Sequence, residues 1–221
     1  MEEKSLIIIG NSSFSRMLKK YIDSVHFGNV IAYAVEKEYI DKDEIDGVTV
    51  ISIEKLNEKY PAQEVSLVMG IGYSKMGTVR KKLFGICKNM GYHFVNFIHP
   101  KAYIAPDVQM GEGNNFFEFV DIQMGAKIGD ANLFLAGSFL GHDCMAKDFN
   151  TFGVKSAIAG FMQIGNNCFF GTSSAVKHEL VIGDFVFVGA SGYVHKNLKD
   201  YKVVVPKPNT FLDGEEDVFM I

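Results

Sequence analysis

From Ile98 onward the sequence repeats every six residues, and a register held this long restricts the fold more than any other feature of the chain. Steps of six from Ile98 reach Ile104, Met110, Phe116 and so on to Val194, seventeen positions, all apolar and all bulky except Ala146. The residue after the lead position is glycine in eight of the seventeen hexads, among them Gly141, Gly153, Gly165 and Gly171. Such a glycine is expected where a chain turns a tight corner. The fourth residue after the lead is usually small or aliphatic, as in Val120, Ala126, Ser138, Cys144 and Ser156. Short strands separated by corners, with the lead side chains stacked inward, describe a solenoid. Three hexads close one triangular coil, so eighteen residues make one turn. The spacing does not set the hand, and the general rule for parallel crossovers favours a right-handed one.

Residues 1–97 lack this repeat and alternate between strand and helix patterns. Strands are predicted over Ser5–Ile9, Val30–Ala34, Val65–Met69 and His93–Phe97, and helices over Ser13–Asp23, Ile53–Lys59 and Lys75–Met90. This is a small Rossmann-like α/β unit around a parallel sheet. Its first turn, Gly10-Asn11-Ser12-Ser13, lies between a strand and a helix, where free backbone N–H groups and the helix dipole attract phosphate. Ser12 and Ser15 stand at two of the three glycine positions of a dinucleotide fingerprint, which argues against NAD or FAD. A nucleoside diphosphate remains, with a plain helix N-cap at Ser12 or Ser13 as the alternative. The domains expected are residues 1–97, residues 98–199 and a tail at 200–221.

Charge excludes one class of partner. The whole chain carries a formal charge of −4, and its second half is the more acidic. A nucleic-acid binder would need a basic excess instead. Cys87, Cys144 and Cys168 are scattered, with no close pair of the kind that holds zinc, so no metal is expected and all three read as buried apolar groups. The opening segment has only four consecutive apolar residues, Leu6–Ile9, too few for a signal-peptide core or a membrane span. A cytoplasmic location is expected.

The order of these parts carries a resemblance. The Gly10 loop, the join Val95-Asn96-Phe97-Ile98-His99-Pro100, and Gly141-His142-Asp143-Cys144 followed by Ala159-Gly160 resemble the bacterial hexapeptide-repeat sugar acyltransferases. Within that family the chain is similar to the nucleotide-amino-sugar N-acetyltransferases and the sialic acid O-acetyltransferases, over residues 5–199. The resemblance implies a left-handed β-helix and a homotrimer. It also implies acetyl-CoA in grooves between neighbouring helices, and a UDP- or dTDP-linked amino sugar reaching from the α/β unit to the base.

By the same resemblance His142 is the catalytic base, Asp143 its acidic neighbour, and Gly160 the residue whose N–H faces the thioester carbonyl. Gly160 follows His142 by eighteen residues, so the two are expected one coil apart in one column, about 4.8 Å by strand spacing. A glycine there lets a thioester approach the backbone. Base and N–H together suffice for direct acyl transfer without a covalent enzyme intermediate. The column continues through His178 to Lys196, which is read as meeting cofactor phosphates, roughly 14 Å from His142 by the same spacing. Thr172 and Ala190 match positions that line the pantetheine groove. Gly10, Ser12, Ser13, Glu36 and Gly70 are assigned to the sugar nucleotide, and Thr151 to the acceptor end. Departures fall at Phe14, Val35-Glu36, Leu135-Ala136 and Thr151, where relatives carry other polar residues. The expected activity is N-acetylation of a nucleotide-linked 4-amino-4,6-dideoxy sugar for surface glycan synthesis. Sugar O-acetylation and a non-catalytic nucleotide-binding scaffold are the alternatives.

Overall fold

The computed structural model describes residues 5–207, so the acidic tail residues Glu215, Glu216 and Asp217 lie outside the described residues. The α/β unit holds β1 (Ser5–Ile9), α1 (Ser13–Ser24), β2 (Asn29–Val35), β3 (Glu44–Ile45), β4 (Val48–Ser52), α2 (Leu56–Lys59), β5 (Ser66–Met69) and α3 (Thr78–Asn89). Its sheet runs β3-β4-β2-β1-β5, parallel except for the β3–β4 hairpin. Two expectations are corrected here. The hairpin is an addition, with β4 pairing along β2 from Ala32–Thr49 to Val35–Ser52. His93–Phe97 is not one strand: Phe94 makes an isolated bridge to Leu67, and Phe97 already begins the solenoid. The sheet is buried on both sides, with Leu6, Ile7, Ile8 and Ile9 all fully inaccessible, which explains their uninterrupted apolar run.

The repeat forms a left-handed parallel β-helix of triangular section. Its first face stacks seven two-residue strands from Phe97–Ile98 to Val203–Val204, its second six from Tyr103–Ile104 to Tyr193–Val194, and its third five from Gln109–Met110 to Val181–Ile182. Strands pair at a separation of eighteen, as in Asp121–Phe139 and Phe139–Ala157. The final coil is shorter: Phe187 pairs with Val203 and Ile182 bridges Leu198, both sixteen apart.

Lead residues fill the centre as expected. Phe116, Phe134, Phe152 and Phe170 form a stack, with ring centroids 4.9, 4.2 and 5.2 Å apart and planes within 14°. The corner glycines act differently from the expectation. From Gly113 to Ser191 the left-handed residue of each corner is the third after the lead, and it includes Phe119, Asp143, Lys155, Phe161 and Ser173 as well as glycines. Gly141 and Gly171 are required by close stacking instead: a Cβ on either would lie 2.6 or 2.5 Å from a backbone nitrogen of the next coil.

The three corners differ in their fourth residue. Between the third and first faces it is Asn114, Asn132 and Asn150, and each of these amide oxygens accepts the N–H eighteen residues on, at 2.7–2.8 Å. Beside them Asp130, Asp148, Asn166 and Asp184 form a second ladder with the opposite polarity, each accepting an N–H from the preceding coil. Between the first and second faces the position is Ser138, Ser156 and Ser174; between the second and third it is Ala126, Cys144 and Met162. All are buried.

The α/β unit packs on the first face. Phe97, Phe117 and Leu133 share a core with Leu6, Leu18 and Tyr33, and Asn115 donates to the Met69 carbonyl at 2.7 Å. No described helix is long and apolar enough to cross a membrane.

Candidate active site

His142 lies at the corner between the second and third faces, two residues past the inward Leu140, with its side chain 55% exposed. Its Nδ1 is 2.9 Å from Asp143 Oδ2, an arrangement that orients the ring and turns Nε2 toward the next coil. Asp143 adopts φ 55°, and its N–H donates to Met124 of the preceding coil at 2.9 Å. Phe161 packs edge-on against the imidazole, with centroids 4.7 Å apart and planes at 87°.

Gly160 lies one coil on, directly under the ring. A Cβ at Gly160 would meet His142 Nε2 at 2.8 Å and two ring carbons at 3.0 Å, so only glycine leaves this space open. Neighbouring groups bind the coil together, with Phe161 donating to the His142 carbonyl and Glu179 to the Gly160 carbonyl. Among the described residues the Gly160 N–H has no protein acceptor. A ring nitrogen able to take a proton therefore stands beside an uncommitted N–H across a gap without side chains.

His178 continues the column and lies 3.5 Å from Glu179, both exposed. Tyr193–Val194 still pairs in register with Ala175–Val176, which keeps the exposed Lys196 on the same column. Thr172 and Ala190 are also exposed, but the chain does not bring them to His142. They occupy the corner between the first and second faces, at the other edge of the second face.

The assigned sugar-nucleotide residues behave unequally. A cleft of about 560 Å³ opens at the carboxyl ends of β1, β2 and β5, lined by Gly10, Asn11, Ser12, Glu36, Lys75 and Lys82 over apolar Val35, Ile71 and Leu83. Such a crevice is where open parallel sheets bind ligands. Gly10 has φ 111° and is pressed against Ile71 and Ser15, a position closed to other residues. Ser12 is the helix cap, in a reciprocal box with Ser15. That leaves the N–H groups of Ser13 and Phe14 as the open donors of the first turn. Glu36 is held by Lys82 at 2.5 Å.

Two assignments are corrected. Gly70 is buried, and its Cβ position is filled by Ile8 and the Ile9 carbonyl, so it serves sheet packing. Thr151 is 2% exposed on the first face and accepts from Arg80 at 2.9 Å, which removes it from any acceptor at His142. Arg80 itself gave no signal in the sequence. It is 1% exposed, pushed down to about 9 by burial, and bonded only to neutral oxygens. Among the described residues no cluster of His, Cys, Asp and Glu could hold a metal ion.

No family model matches this chain. Solved structures do. A histidine variant of perosamine N-acetyltransferase from Caulobacter crescentus, in complex with CoA and GDP-perosamine, is 26% identical with a TM-score of 0.81 over 93% of this chain and 97% of that one. The acetyltransferase domain of PglB from Neisseria gonorrhoeae, with acetyl coenzyme A, is 17% identical with a TM-score of 0.81 over 93% and 100%. WeeI from Acinetobacter baumannii is 22% identical with a TM-score of 0.81 over 95% and 100%. The last two agree in fold, and the first agrees in fold at a higher identity. The chain is a close structural homologue of the hexapeptide-repeat sugar N-acetyltransferases.

Proposed function

We propose that this protein is an acetyltransferase that moves the acetyl group of acetyl-CoA to the amine of a nucleotide-linked 4-amino-4,6-dideoxy sugar, with His142 as general base. The observation that carries the reading is the imidazole of His142 held by Asp143 and lying over the bare backbone of Gly160. The amine nitrogen attacks the thioester carbon while His142 Nε2 takes its proton. The carbonyl oxygen, gaining charge, receives the Gly160 N–H. Collapse of the tetrahedral intermediate breaks the carbon–sulfur bond, and the departing thiolate takes the proton back. A neutral amine is a good nucleophile, so an amine acceptor asks less of the base than a hydroxyl does.

The complex of the Caulobacter protein with CoA and GDP-perosamine supports the two substrate classes here. Lys196 and His178 on the His142 column are the candidates for the cofactor, and Gly10, Ser13, Lys75 and Lys82 for the nucleotide diphosphate.

Topology supports a trimer. The α/β unit covers the first face, whereas His142 stands at the corner opposite that face, so one chain points its cleft and its base in different directions. In a cyclic trimer the His142 corner of one chain meets the next chain, and each site is shared.

The test is steady-state kinetics of His142→Ala with acetyl-CoA and nucleotide amino sugars bearing GDP, UDP or dTDP. His142 points outward, so folding survives. The turnover number is expected to fall by roughly 10² to 10⁴ with smaller changes in substrate binding. Near-normal turnover would remove His142 from the role of base.

A further inference from the structure

Arg80 is the one buried cation of the described chain whose charge meets no carboxylate, and the mechanism above does not use it. A guanidinium taken out of water costs several kcal/mol unless its protons are well received. Here Nη1 donates to the Gly72 carbonyl at 2.8 Å. Nη2 donates to the carbonyls of Phe149 and Asn150, at 2.7 and 3.0 Å, and to Thr151 at 2.9 Å. Nε has no partner. One side of the fork thus grips the segment that follows β5, and the other grips a coil of the β-helix.

That segment is strained and pinned. Lys75, Met76 and Gly77 have consecutive φ values of 49°, 51° and 74°, which costs energy for the first two. Asn167 of the β-helix donates to the Met76 carbonyl at 2.8 Å, and Gly77 lies against the Phe149 carbonyl so closely that a Cβ would be 2.5 Å from it. The same stretch supplies Ser74 and Lys75 to the cleft, and α3 supplies Thr78, Val79 and Lys82 on either side of Arg80. The arginine therefore stands behind the cleft wall, with cleft-lining residues before and after it.

We infer that Arg80 is a positioning residue for the sugar nucleotide: it fixes residues 72–77 against the β-helix so that Lys75 and the start of α3 meet the diphosphate, and its uncompensated positive charge favours an anion in the cleft. The β-helix thereby sets the shape of the nucleotide site on its own chain. The inference rests on the cleft being the nucleotide site. A purely structural role would alter stability without separating the two substrates.

Full-length wild type, Arg80→Gln and Arg80→Lys should be titrated with GDP, UDP, dTDP and CoA by calorimetry, and their KM values measured for the sugar nucleotide and acetyl-CoA. Losing charged hydrogen bonds to the strap predicts a rise of about tenfold or more in Kd and KM for the nucleotide ligand in Arg80→Gln. CoA affinity and turnover at saturation should hold, and Arg80→Lys should recover part of the loss. Asn167→Ala removes the second pin with little loss of charge or volume, and should weaken nucleotide binding in the same direction if Arg80→Gln proves too unstable. If wild type binds nucleotide and the folded variants match it, or lose CoA equally, the inference falls. If wild type binds none of the three diphosphates, the cleft reading falls and takes the inference with it.

Discussion

Replacing Gly160 by alanine inserts one methyl group into the space between the His142 ring and the Gly160 backbone, and the structure gives its consequences. The new Cβ would lie 2.8 Å from His142 Nε2, and an ordinary contact begins at 3.4 Å, so the ring must retreat by a little over half an ångström. It is free to do so, because the side chain is 55% exposed and Gly160 has no left-handed backbone demand. Folding should therefore be nearly unchanged. The chemistry should not be: a misplacement approaching 1 Å can cost on the order of 10²-fold in rate, and the methyl also blocks the thioester's approach to the Gly160 N–H. The expected fall in turnover is about 10²-fold, read as CoA thiol release at saturating substrates. Gly165→Ala, at a corner away from His142, is the control for the opposite behaviour. Its Cβ would meet the Gly183 carbonyl carbon at 2.7 Å and its oxygen at 2.8 Å, both backbone, which cannot move aside. Overpacking of that kind costs about 1–3 kcal/mol and should appear as a lower denaturation midpoint. Gly160→Ala turning over at the wild-type rate in a folded protein would refute the geometry of the site as drawn.

Light scattering at micromolar concentration should give three chains per particle, and a stable monomer would remove the shared site. Ser13→Glu sets a carboxylate at the first turn of α1; nucleotide binding should weaken by repulsion while CoA binding holds, and equal losses would mean the two sites are not separate. Phe134→Ala opens the middle of the aromatic stack, between Phe116 and Phe152 at 4.9 and 4.2 Å, and should cost about 3–5 kcal/mol in denaturant melts at fixed protein concentration, the range for a truncated buried Phe.

The solenoid was legible because each lead residue repeats one local instruction, apolar and inward, and no distant contact is needed to read it. Its corners were half legible. Glycine after the lead looked like a turn signal, yet the left-handed residue is two places further on, where Phe161 and Asp143 adopt it without glycine. What the glycines answer to is a backbone eighteen residues away, and that neighbour appears only on folding. The shortened last coil hid for a similar reason, since the apolar pattern simply stops at Val194. In the α/β unit the strand Val48–Ser52 was passed over because its partner, β2, is set by tertiary pairing. Arg80 sits in the run Val79-Arg80-Lys81-Lys82, which reads as a solvated helix face, and nothing local separates the buried cation from its exposed neighbours. Of the candidate site, His142 was named by resemblance and Gly160 was placed beneath it by the spacing of eighteen, whereas the burial of Thr151 against the α/β unit and of Gly70 within its own sheet leaves no trace at either position.

A period of six has an ambiguity that the asparagine and aspartate ladders remove. Rotate one coil by a single hexad over the next, and every bulky lead residue still points to the axis; the apolar core alone would accept three such arrangements. The ladders recur every eighteen residues and occur at one corner only, with amide and carboxylate acceptors of opposite polarity that each require the N–H of the adjacent coil at that same corner. A coil turned by a hexad onto the serine column would set the Asn132 amide oxygen against N–H groups that Ser138 and Ser156 already give to the Leu135 and Gly153 carbonyls, at a cost of about 1–3 kcal/mol per unmet group. The buried amides thus work as an index mark on an otherwise threefold-repeating stack. The vertical alignment of His142 with Gly160 is a reading taken against that mark, so the geometry at one corner of the prism depends on polar residues at another.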